Sequence, residues 1–166
     1  FEVREMQLGL REVFPYMHCG NCGCMQLTDV PVNMGKYYPS QDYYSFNTSL
    51  DIRSKPDALR HIKASYLIYR KKAIIGKLLS VGYTAPDYYE WMKTSVVGWN
   101  DAILDVGTGN GSLLLNLFKI GFTDLTGIDP FINEDKQYGT INIFKKNIFE
   151  LQGCFDFIML HHSFEH

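Results

Sequence analysis

Two carboxylates and three glycines stand at a spacing suited to a ligand that carries a nucleoside and a positive charge. In the stretch Ile103-Leu-Asp-Val-Gly-Thr-Gly-Asn-Gly-Ser112, Gly107, Gly109 and Gly111 fall at alternate positions and Asp105 lies two places before the first. Glycines in such a run let the backbone turn tightly and approach a ligand closely. A dinucleotide fingerprint needs a glycine where Ser112 stands, and a phosphate-binding P-loop needs a Gly-Lys-Ser/Thr ending that is not there. A carboxylate at Asp105 would repel a pyrophosphate but could hold an ammonium group, directly or through water. Asp129 follows about 20 residues after the glycines, where an acid can accept both hydroxyls of a ribose. The plainer readings are a glycine-rich turn without ligand and an ordinary Asp-Pro turn. The common register of Asp105, the glycines and Asp129 favours the ligand.

Two further clusters could do chemistry. His161-His-Ser-Phe-Glu-His166 holds three histidines and a glutamate in six residues. His162 and His166 would form an i, i+4 pair on a helix, but the glutamate is not placed as in His-Glu-x-x-His and no third ligand is evident, so no catalytic metal is assigned. His161 and His166 are the candidates for acid–base work if an acceptor must lose a proton. His18-Cys-Gly-Asn-Cys-Gly-Cys24 contains a Cys-x-x-Cys-Gly turn, half of a zinc knuckle. A tetrahedral zinc needs four ligands, and the tight turn makes it hard for His18 and Cys24 to join Cys19 and Cys22. As the chain stands no metal is expected. A redox role is less favoured, since that motif normally opens a helix.

The elements that must position these residues read as follows. Ala102–Leu104 is a short apolar run of the buried-strand kind, and a helical pattern starts at Ser112 and stops at Gly121. Asp124–Pro130 reads as the second strand, ending in Asp129; residues 141–148 read as the third, with Asn147 and Ile148 at its carboxyl end; residues 155–160 read as the fourth, delivering His161. The result is an α/β fold with a Rossmann-like doubly wound sheet, of which strands one to four are present. Ahead of it, a helix is predicted from Pro56-Asp57 to about Leu79, burying Leu59, Ile62, Tyr66, Tyr69, Ala73 and Leu78, and a second from about Pro86 to Thr94. Residues 51–77 of this bridge carry eight cations against Asp51 and Asp57. That face could meet a phosphorylated substrate or nucleic acid, or be simply solvated; the latter is preferred, and nucleic acid is not expected. Residues 1–17 alternate weakly, as in a small hairpin. Tyr37, Tyr38, Tyr43, Tyr44 and Phe46 could close over a ligand or pack the join between modules.

The pattern acid-x-Gly-x-Gly-x-Gly resembles motif I of the class I S-adenosylmethionine-dependent methyltransferases, and Phe-Asp-x-Ile followed by His-His-Ser-Phe-Glu-His resembles the segment after strand four in their small-molecule members. The order Cys-x-x-Cys-Gly, Met25–Val30, Tyr-Tyr, then this domain is similar to the zinc-ribbon-bearing sugar C-methyltransferases. The resemblance implies S-adenosylmethionine as cofactor, held by Asp105, Gly107, Thr108, Gly109, Asn110, Gly111, Asp129, Pro130, Phe131, Asn147, Ile148 and His161. Asn147 would meet the adenine edge and Ile148 one face, with Phe131 and Ile132 the candidates for the other. It further implies a methyl acceptor that is a small molecule, such as a nucleotide-linked sugar or other metabolite. A non-catalytic S-adenosylmethionine sensor and a nicotinamide-dependent oxidoreductase are the alternatives.

Length and composition bound the rest. The 166 residues are 46% hydrophobic with a net charge of −2, which permits a real core and gives no global pull toward polyanions. No apolar run reaches the ~20 residues of a membrane span. Four cysteines, three of them within six residues, suit a reducing compartment, and cytoplasm is the default. The organisation expected is a truncated zinc-ribbon-like and Tyr-rich segment (1–50), a basic helical bridge (51–98) and the cofactor-binding domain (99–166). A sheet that stops at strand four leaves an edge prone to association, so a longer natural chain and a possible homodimer are expected.

Overall fold

A computed structural model describes residues 1–38, 55–161 and 163. The chain divides into two compact units, Phe1–Pro39 and Ser40–His166.

The first unit is a three-stranded antiparallel meander of β1 (Glu2–Arg4), β2 (Val13–His18) and β3 (Met25–Leu27), in that order. The expected hairpin is present, with Val3 opposite Phe14, and a third strand is added, with Met17 opposite Gln26. The Glu5 carboxylate shapes the first connection by accepting from the amides of Leu8 and Leu10 at 2.6 and 2.9 Å. The second connection is the cysteine turn itself, closed by Cys19 N–H to Cys24 O at 2.8 Å and Gly23 N–H to Cys19 O at 2.9 Å. A 3-10 turn at Met34–Tyr37 follows, where Tyr37 bonds the Glu12 carboxylate and meets Phe14 edge-on at 5.3 Å. No residue of 1–38 is fully buried.

The second unit opens with α1 (Ala58–Tyr69), α2 (Ala73–Leu79) and α3 (Tyr88–Thr94). Asp57 caps α1, its carboxylate accepting from Leu59 and Arg60 amides. The single helix predicted through Leu79 is in fact two. Arg70 and Lys72 adopt left-handed φ values of 58° and 54°, which end α1 and turn the chain back. α2 then lies on α1 through Gly76, where a Cβ would come within 2.3 Å of Tyr66 Cβ. The predicted buried face is corrected accordingly. Leu59 and Leu78 are 61% and 74% exposed and Ala73 is exposed, whereas Ala64, Ser65 and Ile68 are buried. The turnback rotates the apolar residues of α2 outward, because its contact with α1 is made by a glycine.

The sheet comprises β4 (Ala102–Val106), β5 (Asp124–Ile128), β6 (Lys136–Tyr138), β7 (Ile141–Phe144) and β8 (Phe157–Met159), in the order β6-β7-β5-β4-β8. β4, β5, β7 and β8 run parallel, and β6 is an antiparallel addition at the edge that the sequence reading lacked. Helix α4 (Ser112–Ile120) crosses between β4 and β5, burying Leu114 and Leu117 and ending at Gly121. This mixed α/β architecture matches the expected Rossmann-like sheet, with the sequence's strands one, two, three and four at β4, β5, β7 and β8. The third strand is shorter than predicted, ending at Phe144. Trp99, just before β4, locks α1 to the sheet: its ring lies 4.6 Å from His61, 5.0 Å from Tyr69 and 4.8 Å from Phe122. His61 Nδ1 is 2.8 Å from Ile120 O, and Gly121 leaves it the room, since a Cβ there would fall 2.4 Å from that nitrogen.

Candidate functional site

Parallel strands place their carboxyl ends at one edge, so residues 105–111, 128–132, 144–148 and 159–161 rise together there. The glycine loop is tied down rather than free. Gly107 and Thr108 N–H both donate to Ile128 O, at 2.8 and 3.1 Å. Gly107, Gly109 and Gly111 have φ values of 76°, 57° and 82°, a conformation costly to side-chain residues. The Asn110 side chain accepts from Ser112 N–H at 3.0 Å and so helps start α4.

Asp129 closes the loop onto β5. Its Oδ2 accepts from Gly109 N–H at 3.0 Å and its Oδ1 from Phe131 N–H at 2.8 Å. The residue is only 6% exposed. Burial raises its carboxyl pKa, and the amides of Phe131, Gly109 and Ile132 pull it back. A carboxylate has lone pairs beyond those two bonds, so acceptor capacity remains for hydroxyl donors.

Asp105 is more deeply placed, at 3% exposed, facing Gly127 on one side and Met159 on the other. Burial pushes its carboxyl up to about 6, the nearby Asp129 charge adds to this, and the Thr108 hydroxyl offsets part of it by proximity. That hydroxyl nevertheless meets no hydrogen-bond geometry: Thr108 Oγ1 is buried without a partner among the described residues. An orphaned buried hydroxyl costs ~1–3 kcal/mol. Two desolvated carboxylates beside an unpaired hydroxyl fit a ligand that brings a cation and hydrogen-bonding groups, as the ammonium and ribose of S-adenosylmethionine would.

The remaining residues are dispersed around this centre. Pro130 is exposed and Phe131 half-buried, both just past Asp129. Asn147 caps a 3-10 turn, Ile148–Glu150: its side chain accepts from Phe149 N–H at 2.9 Å while its own N–H donates to Glu150 at 2.8 Å. Ile148 is 42% exposed. His161 is exposed beyond β8, with its ring 5.0 Å from that of Trp91 on α3. His166, like His162, Tyr43, Tyr44 and Phe46, lies outside the described residues. Cys19, Cys22, Cys24 and Cys154 are free, exposed thiols, and no group of three or more metal-type ligands occurs among the described residues. No helix among them is long and apolar enough to cross a membrane.

Three residues absent from the sequence reading shape the site. Ser163 Oγ donates to Val106 O at 2.7 Å, and a Cβ on Gly107 would fall 2.7 Å from Ser163 Cβ. Part of the glycine requirement therefore comes from the segment after β8, not from a ligand. A Cβ on Gly127 would fall 2.7 Å from Thr108 Cγ2 and 2.8 Å from Leu114 Cδ1. An isolated glycine inside a strand pattern is the signal that could have found it. Trp91 carries no spacing signal.

Comparison with known proteins agrees with this geometry. Residues 83–166, half of the chain, match the family model described as a methyltransferase domain. Among curated proteins, the chain is similar to EEF1A lysine methyltransferase 2 of Danio rerio, 54% identical over 39 residues that cover 24% of this chain and 17% of that protein. The human protein of the same name is 46% identical over 39 residues, covering 24% of this chain and 16% of its own length. The chain thus matches under a fifth of these relatives' length. No solved structure gives a significant match. By its family match, its acid-flanked glycine loop and the Asp129 clamp, this chain belongs to the methyltransferase domain family, whose methyl donor is S-adenosylmethionine.

Proposed function

We propose that the chain transfers a methyl group from S-adenosylmethionine to a small-molecule acceptor. The observation that carries the donor half is the Asp105–glycine loop–Asp129 centre, where two buried carboxylates and the buried Thr108 hydroxyl meet. Asp105 would hold the ammonium group, Asp129 the ribose hydroxyls, and Gly107–Gly111 the backbone close to both. Pro130, Phe131 and Ile148 would flank the adenine, with the Asn147 amide group at its edge. When bound, the cofactor supplies an electrophilic methyl carbon on a sulfonium and departs as a neutral thioether. The residues of the chain align the acceptor with that carbon, which contributes more than acid–base work in such displacements. His161, or His166 if it reaches the site, would take the acceptor's proton where one must leave.

The acceptor class rests on the segment after β8 and on the cysteine turn, both similar to small-molecule methyltransferases. A second reading, a protein lysine acceptor, is favoured by the names of the two relatives. Their matches span 39 residues, under a quarter of this chain. A soluble cytoplasmic enzyme, with homodimerisation, completes the proposal.

The test is incubation with methyl-labelled S-adenosylmethionine and a cell extract separated into metabolite and protein fractions. Label in the metabolite fraction is the expected result. Label confined to protein lysines replaces the first acceptor reading with the second. Tight S-adenosylhomocysteine binding with no labelled product in either fraction makes the chain a sensor, and tighter binding of NADH overturns the donor assignment.

A further inference from the structure

A cleft of about 490 Å³ opens between α1, α3 and α4, away from the glycine loop. α4 reaches it with Asn116 and Ile120, five and nine residues past Gly111, or roughly 7 and 13 Å along the helix at ~1.5 Å per residue. The cleft is therefore a different place from the cofactor crevice at the strand ends.

Its lining is unusual for a packing defect. Arg60 and Lys63 project from successive turns of α1, Tyr83 and Tyr88 and Tyr89 come from the approach to α3 and its first turn, and Asn116 faces them from α4. Lys63 makes no ion pair among the described residues; its ammonium sits 4.1 Å from the centre of the Tyr83 ring. Arg60 leans on Asp57 through Nε at 3.4 Å, which leaves the other guanidinium N–H groups for a further acceptor. Asp57 Oδ1 accepts from the Leu59 and Arg60 amides. Burial pushes the Tyr88 hydroxyl up to about 12, so it stays a protonated donor, while the buried Tyr89 hydroxyl is engaged with that of Tyr83. Tyr83 is 39% exposed and gives the cleft an aromatic wall.

We propose that this cleft binds a small organic phosphate, of the size and kind of a nucleoside monophosphate. A guanidinium, an ammonium and the Tyr88 phenol are more donors than a carboxylate's two oxygens use, but they suit the three terminal oxygens of a phosphate monoester. The Tyr83 ring and the pyrrolidine of Pro86 supply an apolar surface for the rest of the molecule. The volume lies within the ~300–1,000 Å³ of small-ligand pockets. The proposal does not depend on which acceptor is methylated.

The experiment is calorimetric titration of the chain with AMP, ribose 5-phosphate, adenosine and inorganic phosphate, each with the cofactor crevice first saturated by S-adenosylhomocysteine. AMP is expected to bind in the micromolar to millimolar range, at least tenfold tighter than adenosine or inorganic phosphate, and more weakly as salt rises. Lys63→Gln should weaken AMP at least tenfold while leaving S-adenosylhomocysteine affinity unchanged; that unchanged affinity also shows that the variant is folded. Lys63→Arg should retain most of the binding. Ribose 5-phosphate binding as tightly as AMP would keep the organic phosphate and remove the aromatic requirement. No AMP binding, equal binding by Lys63→Gln, inorganic phosphate as tight as AMP, or displacement of AMP by S-adenosylhomocysteine each overturns the proposal.

Discussion

Asp105 shows what a buried carboxylate costs and what it offers a cationic ligand. With its carboxyl raised from 3.8 to about 6, the folded chain holds a proton there that the unfolded chain has released, and this difference spans the window between those two values. Stability is therefore highest below pH ~4 with respect to this group and falls as pH rises through 6, by on the order of 3 kcal/mol. Asp105→Asn should remove that slope. Its melting temperature is expected to exceed that of the parent at pH 7 and to match it near pH 4, by calorimetry at both values. An ammonium reverses the preference, because it attracts the ionised form. S-adenosylhomocysteine affinity should thus drop about tenfold for each pH unit below 6, and Asp105→Asn should bind weakly with little pH dependence. A pH-independent affinity in the parent chain would remove Asp105 from the ammonium site. Asp129→Ala loses both the proposed ribose acceptor and the bonds to Gly109 and Phe131. At least a tenfold loss of S-adenosylhomocysteine affinity is expected by titration, and an unchanged value would take Asp129 out of the site.

Elements are where the sequence was easiest to read and also where it misled. The strand–glycine–helix unit from Ala102 to Gly121 was legible because each boundary has its own local signal: an apolar run, three glycines, a helical stripe and a glycine stop. The end of α1 was not, because Arg70 and Lys72 take left-handed conformations without being glycine or asparagine. Tertiary contact decides there: Gly76 against Tyr66 fixes how the two helices meet. The third strand was read four residues too long, although Asn147-x-x-Glu150 is a capping pattern that marks the stop. Asp105 and Asp129 stand out by spacing, and the structure buries both, while Ser163 and Trp91 depend on what the fold brings near and leave no periodic trace. The α1–α2 contact gives a direct test. Gly→Ala inside a helix ordinarily gains ~1 kcal/mol. At Gly76 the new methyl would overlap Tyr66 Cβ, a stiffly held atom, and overpacking costs ~1–3 kcal/mol. The overlap should win, so Gly76→Ala is expected to lower the urea midpoint with an unchanged slope; a raised midpoint would mean that α2 is not seated on α1 as described.

At the scale of the whole chain, the two units differ in how they hold together. The second has a continuous core running from Ala64 and Ile68 of α1 through Leu114 and Leu117 of α4 to Leu125, Ile141 and Ile143 of the sheet. In the first, no described residue is fully buried, and its strands rest on turn bonds, the Glu12 contacts with Lys36 and Tyr37, and the pairing of Phe14 with Tyr37. Local opening is governed by buried apolar contact, so backbone amides of β1–β3 should exchange with deuterium well before those of β4, β5 and β7. Thiol chemistry follows from the same exposure. All four cysteines are accessible in the folded chain, so alkylation should reach each of them without denaturant. Their rates should differ, because the thiolate is the reacting form. The turn aims the backbone N–H groups of Cys22 and Asn21 at Cys19 sulfur, with the Cys22 thiol adding to them, and this lowers the Cys19 pKa below its usual value. With limiting iodoacetamide at neutral pH, Cys19 should therefore carry the first label in the mass spectrum. Uniform labelling at neutral pH would mean that the turn does not hold the amides toward Cys19 sulfur as described.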